Sequence, residues 1–266
     1  MLERKFTSYL TKFLTEERNK ILLVNGARQI GKSYLIRYVG RKLFSHFVEI
    51  NLKEDKEGDK VFADVRTTDD LYMRLSNYCP TPLGDNTDTL VFLDEIQSYP
   101  HLMTMLKFLN QESRYRFIAS GSQLGVALAQ TPSVPLGSVT LEQMYPLDFE
   151  EFLWATGVGK EWIANIRDCY LCRKSLDEST HNLLLKRFQY YLLVGGLPES
   201  VNNYLADRNM VRVRRTHSDI HNLYRIDASQ YDEEHKLKIR KIYDLIPSNL
   251  ENKKKRIVYK NIEGKT

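Results

Sequence analysis

Short apolar runs alternate with longer amphipathic stretches through the first 155 residues, and this alternation predicts strands and helices in turn. The short apolar runs, which predict buried strands, are 20–25, 46–50, 89–93 and 115–119. The stretches with apolar residues at helical spacing are 2–17, 31–43, 69–78, 101–110 and 123–130. A last short strand, followed by a helix capped at Asp148, is predicted within 137–153. This order favours an α/β fold in which helices cover both faces of a parallel sheet.

The pattern changes near residue 155, where strand signals stop. Helices alone are predicted beyond that point, over 160–173, 179–193, 199–206, 208–229 and 233–245. We therefore predict a sheet domain over 1–155 and a helical region over 156–246, with residues 247–266 as a separate terminal segment. The charged run at 54–60 is interpreted as a solvated loop.

The segment "NGARQIGKSYL", residues 25–35, lies between the first predicted strand and a helix, and it contains the pattern G-x-x-x-x-G-K-[ST]. In this setting the two glycines allow the backbone N–H groups to turn inward around phosphates, and the helix N-terminus adds further donors. Lys32 is expected to reach the β- and γ-phosphates as a catalytic group, and the Ser33 hydroxyl to ligate Mg²⁺. The predicted nucleotide-binding residues are Gly26, Ala27, Arg28, Gln29, Ile30, Gly31, Lys32, Ser33 and Tyr34.

Acidic residues follow a second apolar run in "TLVFLDEIQ", residues 89–97. Asp94 is predicted to hold Mg²⁺ from the side opposite Ser33, and Glu95 to orient and deprotonate the attacking water. "RYRFIASGSQ", residues 114–123, ends a third strand with polar residues that would lie beside Glu95. Of these we select Ser122 as a catalytic candidate, although a simple serine and glycine turn explains the segment equally well.

Charge is uneven along the chain, whose formal net charge is +5. The excess lies beyond residue 206, in "VRVRRTH" (211–217), "KLKIRK" (236–241) and "NKKKR" (252–256). These residues form either a solvated helical surface or a weak binding surface for DNA or an acidic partner. The three cysteines, two of them in one C-x-x-C that we assign to packing, and the lack of a signal peptide or membrane span favour a cytoplasmic protein with no membrane partner.

The order of motifs resembles a known family. "GARQIGKS", "VFLDEIQ", "ASGSQ", "MYPLDFEEFL" and "GGLPES" occur in the same order as in the bacterial and archaeal AAA-type, STAND-related P-loop ATPases usually known as "ATP-binding protein". The resemblance implies an AAA-type core with a helical lid that binds ATP and Mg²⁺. It also implies that the segment from Gly195 to Pro198 lies near the nucleotide.

This chain departs from the family pattern at two points. Gly137 is followed by Ser138 where relatives have an arginine that could sense the nucleotide, and Arg114 and Arg116 are the alternatives considered for that role. Relatives also continue into a DNA-binding-like fold and a nuclease-like domain, whereas here a winged-helix-like unit would begin near residue 247. A fragment, a split gene and a naturally short form are all compatible with this length.

We expect Mg²⁺-dependent ATP hydrolysis that drives movement of the helical lid. The alternatives are a non-hydrolysing nucleotide-gated switch, a P-loop kinase, and DNA binding that accompanies either of the first two functions. The acid pair at the end of a separate strand favours activation of water over transfer to an acceptor. The choice of ATP over GTP follows from the resemblance alone, and the sequence indicates no oligomeric state.

Overall fold

The computed structural model describes residues 2–79, 82–122, 124, 137–228 and 235–251. The chain divides into two compact units, residues 1–198 and residues 199–266. The strands of the first unit are β1 (Ile21–Asn25), β2 (His46–Asn51), β3 (Thr89–Asp94), β4 (Arg116–Gly121) and β5 (Val139–Gln143).

These strands form one parallel sheet in the order β2-β3-β4-β1-β5. The predicted α/β fold with a parallel sheet covered by helices is therefore confirmed. Because all strands run in one direction, their carboxyl ends lie at the same edge of the sheet, and this is the edge where ligands bind in open α/β folds.

The helices of the first unit lie close to the predicted stretches. They are α1 (Lys5–Glu16), α2 (Lys32–Leu43), α3 (Leu52–Glu57), α4 (Thr68–Tyr78), α5 (Pro100–Glu112), α6 (Phe149–Ala155), α7 (Lys160–Leu171) and α8 (Glu178–Val194). The predicted cap at Asp148 is confirmed, since its side chain accepts from Glu151 N in a capping box. Apart from Leu124, the helix predicted over 123–130 lies outside the described residues.

Two hydrophobic clusters pack on opposite faces of the sheet because successive side chains of each strand point to opposite sides. Leu22 and Val24 of β1 belong to the cluster that contains buried residues of α1 and α2. Ile21 and Leu23 belong to the cluster that contains buried residues of α4 and α5. Burial on both faces explains why β1 and β3 are nearly continuous apolar runs, whereas the edge strands β2 and β5 also contain polar residues.

The interpretation of residues 54–60 as a loop was wrong for its first half, because α3 spans Leu52–Glu57. The Asn51 side chain caps this helix by accepting from Lys53 N and Glu54 N. Leu52 is fully buried, so the charged residues form the exposed side of a short helix rather than a loop.

The described part of the second unit is helical, as predicted. It contains α9 (Pro198–Asp207), α10 (Met210–Ala228) and α11 (Lys236–Glu251). Arg225 of α10 forms a salt bridge with Asp244 of α11 at 2.9 Å. Residues 247–251 continue α11 through Pro247, and the rest of the winged-helix-like segment predicted from 247 lies outside the described residues.

Candidate functional site

The glycine loop connects the carboxyl end of β1 to the start of α2, as the sequence pattern predicts. Gly31 is the residue before the helix, with a φ of 91° that favours glycine, and no side chain caps the helix. Within the part of the chain that the structure describes, the first N–H groups of α2 therefore have no cap side chain and, as in any helix, no intrahelical partner. Such a helix start is suited to bind an anion.

Gly26 is required by a close approach of two backbone segments. A Cβ at this position would lie 2.5 Å from the carbonyl oxygen of Met144, just after β5. Met144 N in turn donates to Asn25 O at 2.8 Å. The loop is thus held against the end of β5, and any side chain at residue 26 would push the two apart.

The nine predicted nucleotide-binding residues lie in the loop and in the first turn of α2, with unequal exposure. Gly26, Ile30 and Lys32 are buried, whereas Ala27, Gln29 and Tyr34 are exposed; the Tyr34 ring is 56% exposed. Gln29 adopts a left-handed backbone with a φ of 62°. Because the Tyr34 ring is exposed, the part of Tyr34 that is available to the loop is its backbone N–H, which lies in the first turn of α2.

Lys32 is 6% exposed, which is unusual for a lysine. Its ammonium has three N–H groups. Two of them donate hydrogen bonds, to the carbonyl oxygens of Gly26 at 2.9 Å and Ala27 at 2.8 Å. Burial lowers the pKa of the Lys32 ammonium, an effect opposed by the carboxylates of Glu95 and Asp94. The cation is therefore fixed inside the loop beside the acid pair.

Ser33 and Asp94 are brought together from two different elements. The Ser33 hydroxyl donates to Asp94 Oδ2 at 2.6 Å, and the Ser120 hydroxyl, at the end of β4, donates to Asp94 Oδ1. Asp94 is 7% exposed and Ser120 is fully buried. A hydroxyl and a carboxylate oxygen in contact are the hard oxygen ligands that Mg²⁺ prefers.

Glu95 and Ser122, the other two acid and hydroxyl candidates, are connected by a residue to which the sequence assigned no role. Gln97 Nε2 donates to Glu95 Oε2 and lies 3.4 Å from Ser122 Oγ. Glu95 has a left-handed backbone with a φ of 53°, which is uncommon for a residue other than glycine. Gln97 is the last residue of the "DEIQ" segment, and this motif is the sequence signal that could have identified it. Its contact with Ser122 could not have been predicted, because that contact depends on how β3 and β4 align.

Arg114 and Arg116 lie at the other edge of the sheet. Arg116 begins β4 and Gly121 ends it, so the two are about 16 Å apart at 3.3 Å per residue. The Arg114 guanidinium lies over the rings of Tyr72 and Tyr115. Ser138 also lies at this other edge, where its carbonyl accepts from Ile21 N at 2.9 Å. Neither arginine contacts the glycine loop of its own chain.

The segment Gly195–Pro198, which the family resemblance predicts near the nucleotide, comes close to the glycine loop. A Cβ built on Gly31 would lie 3.8 Å from Pro198 Cγ. Gly196 O accepts from Leu147 N at 2.7 Å, and Tyr191 of α8 donates its hydroxyl to Leu147 O at 2.9 Å. The end of α8 is thus connected to the chain between β5 and α6.

A family model described as an AAA domain matches residues 18–153, just over half of the chain. The chain belongs to this AAA domain family. The match contains all five strands and the glycine loop, together with Asp94 and Glu95. Membership supports a nucleotide-binding function of the ATPase type, and it leaves the narrower STAND-related assignment as a prediction.

A second family model, described as a domain of unknown function, matches residues 185–266 of the AAA protein. This match begins inside α8 and includes the "GGLPES" segment and the basic region. No curated protein matches the chain. In the described part of the AAA protein, no helix is long and apolar enough to cross a membrane, and no three or more His, Cys, Asp and Glu side chains form a metal-binding group.

Proposed function

We propose that the chain binds ATP with Mg²⁺ in the glycine loop and hydrolyses it to ADP and phosphate. The observation that carries this proposal is the contact between Ser33 and Asp94 at 2.6 Å, beside a helix N-terminus that no side chain caps. This contact joins the phosphate-binding loop to the acid pair at the end of β3. A strand, turn and helix that matched the sequence pattern by chance would not require a contact between Ser33 and Asp94.

The residues present fit a magnesium ion that is shared with the nucleotide. Ser33 Oγ and Asp94 Oδ2 would hold it, and phosphate oxygens and water would complete its coordination. When bound, the ion would neutralise phosphate charge and orient the terminal phosphate. The lack of a larger acidic group among the described residues is compatible with this role, since Mg²⁺ at nucleotide sites needs only one or two protein ligands.

The chain's own groups then have separate tasks. Lys32 uses two of its N–H bonds on loop carbonyls and has the third for a phosphate oxygen. Glu95 would take a proton from the attacking water, and the bond from Gln97 holds its carboxylate in one orientation. Ser122, which lies beside Gln97, would report on the terminal phosphate.

We further propose that hydrolysis moves the predicted helical lid, residues 156–246, through Pro198, which lies close to Gly31 of the loop. A change in the backbone conformation of Gly31 would act directly on residues 195–198, which follow the end of α8. The assignment to ATP rather than GTP, the STAND-related family and a cytoplasmic location follow from the resemblance and the sequence. They belong to this proposal.

Phosphate release from ATP tests the hydrolysis. We expect Mg²⁺-dependent turnover in the wild type, loss of ATP binding and turnover in Lys32→Ala, and loss of turnover with retained binding in Glu95→Gln. Glu57→Gln is the control, because Glu57 is an exposed carboxylate on α3. Turnover that persists in Glu95→Gln would contradict its role as the base. Binding without turnover in the wild type would favour the nucleotide-gated switch.

We propose weak binding of DNA or an acidic partner through the basic region as a companion function. Arg214 and Arg215 of α10 and Lys238 and Lys241 of α11 are exposed. Phosphate release measured with and without DNA, at two salt concentrations, tests it, since phosphate contacts weaken steeply with salt. DNA that neither binds nor changes turnover at low salt would remove this part of the proposal.

A further inference from the structure

Arg4, just before α1, is a buried arginine outside every motif of the chain. It is 7% exposed, and all three of its nitrogen atoms donate hydrogen bonds. Nη1 donates to Ile30 O at 3.1 Å, Nη2 to Tyr145 O at 2.5 Å and Nε to Glu151 Oε2 at 3.2 Å. One side chain therefore connects the glycine loop to the segment that follows β5 and to helix α6.

Glu151 is also deeply buried, and both of its carboxylate oxygens accept hydrogen bonds. It is 4% exposed, and its oxygens accept from Lys5 N at 2.6 Å and Asp148 N at 3.1 Å as well as from Arg4. A buried ion pair is stable only when its remaining polar atoms are satisfied, as they are here. The guanidinium is thus held by fixed partners and presents Nη1 to the loop in one direction.

The bond from Arg4 to Ile30 O determines the orientation of one peptide in the loop. The peptide between Ile30 and Gly31 is planar and trans, so its C=O and N–H point in opposite directions. With the carbonyl turned to Arg4, the Gly31 N–H must point away from Arg4. Gln29 and Gly31, on either side of Ile30, have left-handed φ values of 62° and 91°.

We propose that Arg4 is a positioning residue for phosphate binding: it holds the Ile30–Gly31 peptide so that the Gly31 N–H faces the phosphate chain. This inference rests on the proposed function, because it assumes that the loop binds phosphates. Arg4 does not touch the nucleotide. It acts through the loop backbone, and its effect is therefore expected on the binding of the phosphates.

The test measures binding of ATP and of inorganic tripolyphosphate to wild type, Arg4→Lys and Arg4→Gln. Lys keeps the charge but presents one ammonium instead of a planar guanidinium, so it cannot make the three bonds together. We expect both ligands to bind about 10- to 100-fold more weakly to each variant, the range of one hydrogen bond to a charged group. If the binding of ATP and of tripolyphosphate is weakened equally, the substitution acts on phosphate binding and not on contacts with the base or sugar of ATP.

Lys5→Gln is the matched control, since Lys5 is the adjacent cation and pairs with Asp148 and Glu150 instead of the loop. The double variant Arg4→Gln with Glu151→Gln removes both buried charges. We expect it to be more stable to urea than Arg4→Gln alone, yet to bind tripolyphosphate as weakly. A residue that served stability only would recover its affinity together with its stability.

Two results would overturn the inference while leaving the proposed function intact. One is wild-type affinity in folded Arg4→Lys, and the other is wild-type affinity in the double variant. If Arg4→Lys does not fold, the double variant decides. Failure of the wild type itself to bind ATP or tripolyphosphate would instead refute the proposed function, on which the inference rests.

Discussion

Replacement of Gly196 by alanine tests how tightly the end of α8 is held to the chain between β5 and α6. The new methyl group would lie 2.1 Å from Leu147 O and 3.0 Å from Leu147 N. Ordinary contacts of this kind begin near 3.4 Å, so the backbone must move by more than 1 Å. That movement would break the 2.7 Å bond from Leu147 N to Gly196 O.

The expected loss follows from three contributions. Overpacking costs about 1–3 kcal/mol and the lost hydrogen bond about 0.5–1.5 kcal/mol. Replacing glycine returns about 0.4–1 kcal/mol by restricting the unfolded chain. We therefore expect Gly196→Ala to lower the free energy of unfolding by about 2–3 kcal/mol, a value that common urea titrations resolve.

Tryptophan fluorescence during urea unfolding is the suitable assay, since the chain has two tryptophans, Trp154 in α6 and Trp162 in α7. Gly137→Ala is the matched control, because Gly137 is exposed, has no left-handed φ, and nothing lies within 4 Å of an added Cβ. Its change is expected to stay within about 0.5 kcal/mol. If the two variants unfold at the same urea concentration, the close contact of Gly196 with Leu147 does not constrain the fold.

Two further predictions concern other parts of the first unit. Asn51→Ala removes the cap of α3 and should cost about 1 kcal/mol in urea unfolding; an unchanged midpoint would mean that the capping bonds add no stability. Burial raises the pKa of the Cys79 thiol, so its thiolate fraction at pH 8 is low and labelling there should be slow. From pH 8 to 9 its labelling rate, followed by mass spectrometry, should rise more than the roughly threefold expected of an ordinary thiol; a smaller rise would contradict this. Exposed Cys172 is the internal reference for reagent reactivity.

Local chemistry made the glycine loop predictable from the sequence. Gly26, Gly31 and Lys32 lie within one strand, turn and helix, and their spacing alone specifies the loop. Asp94 was predictable for a related reason, since an acid that follows a buried apolar run must emerge at a strand end. Neither inference required knowledge of which strands are neighbours.

The choice between Ser120 and Ser122 did require that knowledge. In the sheet, Leu90 aligns with Arg116 and Leu93 with Ala119, and continuing this register brings Asp94 beside Ser120. Ser120 lies near the end of β4 and Ser122 just after it, and register is a property of the pair of strands rather than of either sequence. Ser120 therefore contacts the acid, while Ser122 lies one step further, beside Gln97.

Arg4 could not be predicted because its partners are distant in sequence. Ile30 is 26 residues away and Glu151 is 147 residues away. Before folding, Arg4 is one of several charged residues at the start of an amphipathic helix. The short helix α3 was missed for the opposite reason: its signal, Asn51 followed by Leu52, was local but too short to show a helical period.

The position of β1 between β4 and β5 in the sheet has a consequence for the time at which the site can form. β1 is made early, yet its two neighbours are β4, which begins at Arg116, and β5, which begins at Val139. At about 5–20 residues per second, the ribosome needs roughly 5–20 s after β1 to supply the first of them. During that interval the apolar strand that carries the glycine loop has no permanent partner. Nucleotide binding must therefore be among the last properties acquired by the newly made chain, and the nascent strand is a natural substrate for chaperones.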